Sequence, residues 1–226
     1  MFSYTVIRSN RKTVGLRVCK GVVEFRVPHD VPQWEIDCFL IQEASWIVKT
    51  IERQEAQMRK KEAFSIDYGS TIQMRGNAYE IKKCEGGEAG FNGEAFYIPS
   101  GLTPQHIKAE IIKIYKMLAK AYIPDRVALF AAQMGLTPLS IKVSNAMRIW
   151  GSCSSYKTLN FTWRLIMTDD SCIDYLAVHE LAHLVEMNHS PRYWAVVAKA
   201  MPDYKERKAK LKDFQRRISY ENWTTE

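Results

Sequence analysis

The chain has 226 residues, 46% of them apolar and 25% charged, with a net charge of +7. That length and balance suit one large or two small folded domains, each with a real core, and exclude a disordered chain. No apolar run approaches the ~18 residues of a membrane span. The opening "MFSYTVIRSNRK" lacks the apolar stretch of a signal peptide. A cytoplasmic protein with no membrane partner is expected. The five cysteines, Cys19, Cys38, Cys84, Cys153 and Cys172, are odd in number, widely spaced and without a CxxC. They predict neither a disulfide framework nor a thiolate zinc cluster.

In chain order, Val14–Cys19 and Val22–Val27 alternate around Lys20-Gly21 and predict a hairpin. Pro32 opens a helical stretch whose apolar residues Ile36, Phe39, Leu40, Ile47 and Ile51 recur at helical spacing. "STIQMRGNAYEIKKCE" predicts a second hairpin turning at Gly76-Asn77, and the Gly-rich "GGEAGFNGEAFYIPSG" predicts turns ending in a short strand. Thr103 and Pro104 form a helix start, Pro124 kinks or interrupts that helix, and Gly135 ends it. "LSIKVSNAMRIWGSCSSYKTLNFTWRL" reads as short strands and turns. Helices are expected over about 171–187, 191–200 and 203–218. The last carries seven Lys and Arg against three Asp and Glu, either a solvated face or a phosphate-contacting patch. The whole predicts an α+β fold: a strand-rich region with one long helix over 1–100, then a mainly helical region with a small sheet over 101–226.

Three of the five histidines fall within "HELAHLVEMNH", residues 179–189. On a helical wheel Ala177, Val178, Leu181, Leu184 and Val185 gather on one side, with His179 and His183 opposite. Residues four apart are neighbours on a helix, so both imidazoles reach one metal at ~2.0–2.1 Å. Glu180, one step around, suits a general base acting on a metal-activated water, the logic of the HExxH signature of zinc peptidases. A third ligand is needed. Glu186 lies seven residues beyond His179, about 10 Å further along a continuing helix, and converges poorly. His189 serves if the helix ends first. Asn188 is suited to the left-handed turn that ends helices, and Pro191 starts the next segment.

The segments "WGSCSS", "LNFTWRLIM" and "IDYLAVHELAHLVEMNHSPRYW" resemble the YgjP-like metallopeptidase family, a relative of the WLM and SprT-like zincins. The resemblance is specific over about 140–205 and looser over "RSNRKTVGLRV" and "VEFRVP". It implies a zincin-like catalytic region of helices beside a small sheet, His179, His183 and His189 as zinc ligands, and Glu180 as catalytic base. The metzincin spacing is similar, but those proteins carry glycine three residues after the second histidine, where this chain has Glu186. YgjP-like proteins commonly have arginine directly before "WGSC". Here that position is Ile149, and if the stretch is a strand its neighbour Arg148 points to the opposite face.

A zinc-dependent hydrolase, most simply a metallopeptidase acting on a peptide or protein substrate, is therefore expected. One zinc ion is the expected cofactor, with nickel or another divalent metal able to replace it. Substrate-side candidates are Ser152 and Cys153, on a strand edge able to pair with an extended peptide, and Tyr193 and Arg148. Tyr193, Arg148, Arg164 and Asn160 are candidates for oxyanion stabilisation. His29 and His106 read as ordinary surface or core residues. Two alternatives remain: a nucleic-acid-associated protease, suggested by the charge and the SprT-like relationship, and a non-catalytic metal-bearing interaction module.

Overall fold

The computed structural model describes residues 2–19 and 21–224 of the chain. They form an α+β protein that divides into two compact units, residues 1–64 with 219–222, and residues 65–218 with 223–226.

In the first unit, β1 (Tyr4–Arg8), β2 (Gly15–Cys19) and β3 (Val22–Val27) form a sheet in the order β1-β3-β2. β2 and β3 are the expected antiparallel hairpin, with Gly21 in the left-handed region; Lys20 lies outside the described residues. β1 runs parallel to β3, a pairing that no local pattern announces. On β3, Val23, Phe25 and Val27 alternate inward, as the period of two requires. They pack against Ile36, Leu40 and Ile47 of α1 (Gln33–Glu62). Glu35 in its first turn and Arg59, Lys60 and Lys61 in its last suit the helix dipole.

The second unit begins with β4 (Thr71–Met74), β5 (Asn77–Cys84), β6 (Gly90–Phe91) and β7 (Phe96–Pro99), in the order β4-β5-β7-β6. The β4–β5 turn is Arg75-Gly76, one residue earlier than expected, and both residues have positive φ, 48° and 79°. Arg75 tolerates that backbone because its contacts fix it. Its N–H donates to the Ile166 carbonyl, its guanidinium grips both oxygens of Asp170, and it also reaches the Tyr122 hydroxyl and ring. A Cβ on Gly76 would stand 2.9 Å from that of Asp169. Residue 100, where the strand pattern gives way to helix, falls inside this unit, between β7 and the next helix.

That helix, α2 (Pro104–Met134), is capped by the Thr103 side chain and closed by Gly135 at φ 64°. It runs without interruption through Pro124. An interior proline costs about 3 kcal/mol, and burial of Ile123 and Val127 on either side offsets it. β8 (Ser140–Ser144), β9 (Gly151–Cys153) and β10 (Thr158–Thr162) form a sheet in the order β8-β10-β9, so β9 lies at its edge. A buried 3-10 turn, Trp163–Met167, leads into α3 (Asp170–Ala182), followed by α4 (Pro191–Ala200) and α5 (Tyr204–Ile218). Among the described residues no helix is long and apolar enough to cross a membrane.

α3 is buried almost all round, packed against α2, α4, α5 and β9. A helix so enclosed is located by apolar contact but not fixed in rotation, so its few polar anchors matter. Asp169 caps its start by accepting the Cys172 N–H. Asp174, 8% exposed, receives Arg126 of α2 at 2.7 Å and Arg207 of α5 at 3.6 Å. Burial pushes the Asp174 carboxyl up while the two arginines pull it down. Arg126→Met would leave that carboxyl buried with only its distant partner. The expected loss is about 3 kcal/mol, read from urea unfolding; a loss within experimental error would show that α3 does not need the pair.

Candidate active site

α3 delivers two histidines at its carboxyl end. His179 lies in its last turn and His183 is its C-cap residue. The helix stops at Ala182, five residues short of the expected end. Leu184 and Val185 fold back in a tighter turn, their N–H groups donating to the Leu181 and Ala182 carbonyls. Val185, expected on the buried side, is 57% exposed as a result. Asn188 is not left-handed. The reversal is made instead by the next helix start: the Asn188 carbonyl accepts the Ser190 N–H at 2.7 Å, Ser190 caps α4, and Pro191 supplies its first residue.

The reversal carries His189 back to the other two. Ligand nitrogens of His179, His183 and His189 lie within 4.8 Å of one another. The Glu186 carboxylate is not among the converging groups; its carbonyl instead takes the Nδ1 of His183 at 3.2 Å. The His179 and His189 Nε2 atoms stand 3.2 Å apart. Three imidazoles at ~2.0–2.1 Å from a tetrahedral ion would place their nitrogens about 3.3 Å apart, so the spacing fits a metal of that size.

Hydrogen bonding fixes which nitrogen faces inward. The Tyr193 hydroxyl donates its one proton to the His179 carbonyl at 2.9 Å and lies 2.6 Å from His179 Nδ1. Nδ1 must then donate to the phenol oxygen, which leaves Nε2 as a bare lone pair. The Glu186 carbonyl can only accept, so His183 likewise carries its proton on Nδ1 and presents Nε2 bare. Burial, helped by the neighbouring imidazoles, lowers the His179 pKa to about 3, and burial also lowers that of His183. Neutral imidazole is the form that ligates.

Glu180 is 3% exposed, and burial alone pushes its carboxyl up to about 8. It stands against β9. A Cβ built on Gly151 would lie 2.6 Å from Glu180 Oε1 and 2.9 Å from its Cγ. Only a residue without a side chain lets the strand pass this closely.

The chain matches the metallopeptidase domain of the YgjP-like family over residues 12–214. It belongs to that family. Among solved structures, the metallopeptidase zymogen of Pyrococcus abyssi abylysin aligns with 44% of this chain and 97% of its own, at 20% identity and a TM-score of 0.39. The corresponding zymogen of Methanocaldococcus jannaschii jannalysin aligns with 41% and 96%, at 19% identity and 0.38. Among curated proteins none matches.

Within this YgjP-like domain the substrate-side candidates separate. Ser152 and Cys153 lie half-buried on β9, opposite Asn160 and Leu159 of β10. Burial and the Glu180 charge both raise the Cys153 thiol, which disfavours a thiolate there. Tyr193 is fully buried and its hydroxyl is committed to His179. Arg148 and Ile149 are exposed in an irregular stretch between β8 and β9, not on a strand, so the alternating-face expectation does not apply. Arg164 braces that stretch, donating to the Met147 carbonyl and lying over the Trp150 ring.

Three further residues contribute to the site. Gly151 was visible only as part of "GSC". Trp194 stands 5.8 Å from the His189 ring and 6.1 Å from that of His179. Lys208 of α5 places its ammonium 4.4 Å over the Trp194 ring. The conspicuous "PRYW" could have flagged Trp194; Lys208 is one lysine in a basic helix.

Tyr193→Phe removes both hydroxyl bonds from His179 without changing the ring's bulk. Metal affinity, measured by chelator competition, is expected to fall 10- to 100-fold with the circular-dichroism spectrum unchanged. Equal affinity in both proteins would mean that the phenol does not orient the imidazole.

Proposed function

We propose that this chain hydrolyses peptide bonds, using His179, His183 and His189 to hold one divalent ion and Glu180 as general base. The supporting observation is the convergence of imidazole nitrogens, two of them bare by their hydrogen bonding, on a helix that also carries the buried Glu180 carboxyl. Neutral nitrogen donors of this number suit zinc, with nickel or cobalt as substitutes. When bound, such an ion acidifies a water and polarises a carbonyl.

The chain's own residues supply the rest. Tyr193 and the Glu186 carbonyl hold two imidazoles in the required tautomer. Glu180 sits one residue along the helix from a ligand, and its charge reaches Tyr193, which holds that ligand. Burial pushes the Glu180 carboxyl up to about 8; a cation held by His179, His183 and His189 would favour its carboxylate form. In that form Glu180 takes a proton from the attacking water and returns it to the departing amine. β9, at the sheet edge, offers its free side to an extended peptide, with Ser152 and Cys153 beside the scissile bond. All of these residues lie in the second unit, to which we assign the catalytic chemistry.

Glu180→Gln preserves shape and removes the base. Zinc content by elemental analysis is expected to stay at one per chain while kcat on an unstructured protein falls about 10²- to 10⁴-fold. Undiminished hydrolysis would remove Glu180 from the mechanism; absence of hydrolysis in both proteins would favour a metal-bearing interaction module. Gly151→Ala drives a methyl group into Glu180. It is expected to cut kcat at least about tenfold at unchanged zinc content, and wild-type turnover would show that the carboxyl relocates freely.

A further inference from the structure

Trp194 links the histidine cluster to α5. Its ring stacks on Tyr204 at 5.4 Å, with the planes 19° apart, and carries the Lys208 ammonium over it. With Trp194 5.8 Å from the His189 ring, the ammonium stands within about 10 Å of that imidazole, the length of about three residues of extended chain.

Lys208 differs from the other lysines of α5 in being seated over the Trp194 ring. Arg207 is taken by Asp203 and Asp174, and Arg216 by Asp213. Among the described residues no carboxylate pairs with Lys208. An ammonium cannot ligate a cation. Lys208 is thus an exposed, unpaired ammonium within reach of the His189 ring, on the side from which the proposed substrate would meet α5.

Resting on the peptidase reading, we infer that Lys208, positioned by Trp194, is a specificity residue that selects peptides bearing a carboxylate within about three residues of the scissile bond. That carboxylate is an Asp or Glu side chain or a free carboxyl terminus. Trp194 keeps the ammonium on an aromatic face that costs it little hydration, so its charge remains available to the incoming anion.

The test uses the full chain with Glu180→Gln, loaded with zinc so that peptides bind without being cut, and reads tryptophan fluorescence. One peptide series differs only in Asp or Glu against Asn or Gln; a second differs only in a free against an amidated carboxyl terminus. In at least one series the acidic member is expected to bind about two- to fivefold more tightly, with the advantage shrinking at 0.5 M salt. The series that shows the advantage identifies the carboxylate's source. Adding Lys208→Met should erase the advantage, Lys208→Arg should keep it, and Lys208→Glu should transfer it to lysine-containing peptides. No advantage in either series, or one that persists in Lys208→Met, overturns the inference. Uniform weakening of all peptides by Lys208→Met also overturns it, since that marks a brace for Trp194. Wild-type protein with intact Glu180 is assayed for hydrolysis in parallel. Hydrolysis without acidic preference defeats only the role of Lys208, whereas failure to cut any peptide defeats the peptidase reading and this inference with it.

Discussion

Bare imidazole lone pairs directed into one small space repel each other, and the second unit is organised to hold them there. Nothing in the amino-terminal part of α3 requires this. The repulsion is imposed by two hydrogen bonds that the rings donate from their far sides, to the Tyr193 oxygen and to the Glu186 carbonyl, which fix the tautomers. Burial then denies the rings the alternative of protonating. The same burial raises the Glu180 carboxyl. Histidines that resist protonation and a carboxyl that resists ionisation leave the cluster short of positive charge. A divalent cation answers both, because it satisfies the lone pairs and favours the carboxylate. Under the proposed function the ligand shell and the base are thus one electrostatic unit.

Such an arrangement works only if α3 cannot slide or rotate. An apolar helix in an apolar sleeve has little to prevent either, and α3 is anchored at three heights. At its start, Arg75 from the β4–β5 turn grips Asp170 while Gly76 abuts Asp169. At its middle, Asp174 is pinned from α2 and α5. At its end, Tyr193 of α4 holds the His179 carbonyl as well as its ring. Buried ion pairs contribute little net stability because desolvation offsets the attraction. Their value here is positional: each makes one rotation and one height of α3 better than its neighbours.

The sequence made the periodic parts of this architecture legible. The β2–β3 hairpin, α1, α2 with its Thr103 and Gly135 ends, and the span of α4 follow from alternation, helical spacing and caps. The α+β class and the family membership were readable for the same reason. Features set by contacts distant in the chain were not. β1 joins its sheet in parallel with β3, across an intervening strand. The helical wheel extended α3 to Met187 because apolar residues continue past His183; the chain instead leaves the helix to close the triad, exposing Val185. Asn188 carries the composition of a left-handed cap, yet Ser190 and Pro191 make the turn. At the site, the grouping of the histidines follows from spacing and a reversal. The second partner of each does not, since Tyr193 lies fourteen residues from His179. Lys208 is invisible in sequence because only folding distinguishes one lysine of α5 from another.

The close passage of β9 over Glu180 adds a coupling that neither element shows alone. A general base must be placed to within a fraction of an ångström of the proton it moves. A peptide added to an edge strand takes its register from backbone hydrogen bonds along that edge. Under the proposed function one short strand serves both requirements, because Gly151 is at once a residue of the edge and the wall against which Glu180 rests. On that reading a peptide paired along β9 is aligned to Glu180 through a single residue of intervening structure, and registration of the substrate is registration of the carboxylate. A larger residue at 151 would disturb both at once. On the same reading a glycine in that strand is a matter of mechanism as much as of packing.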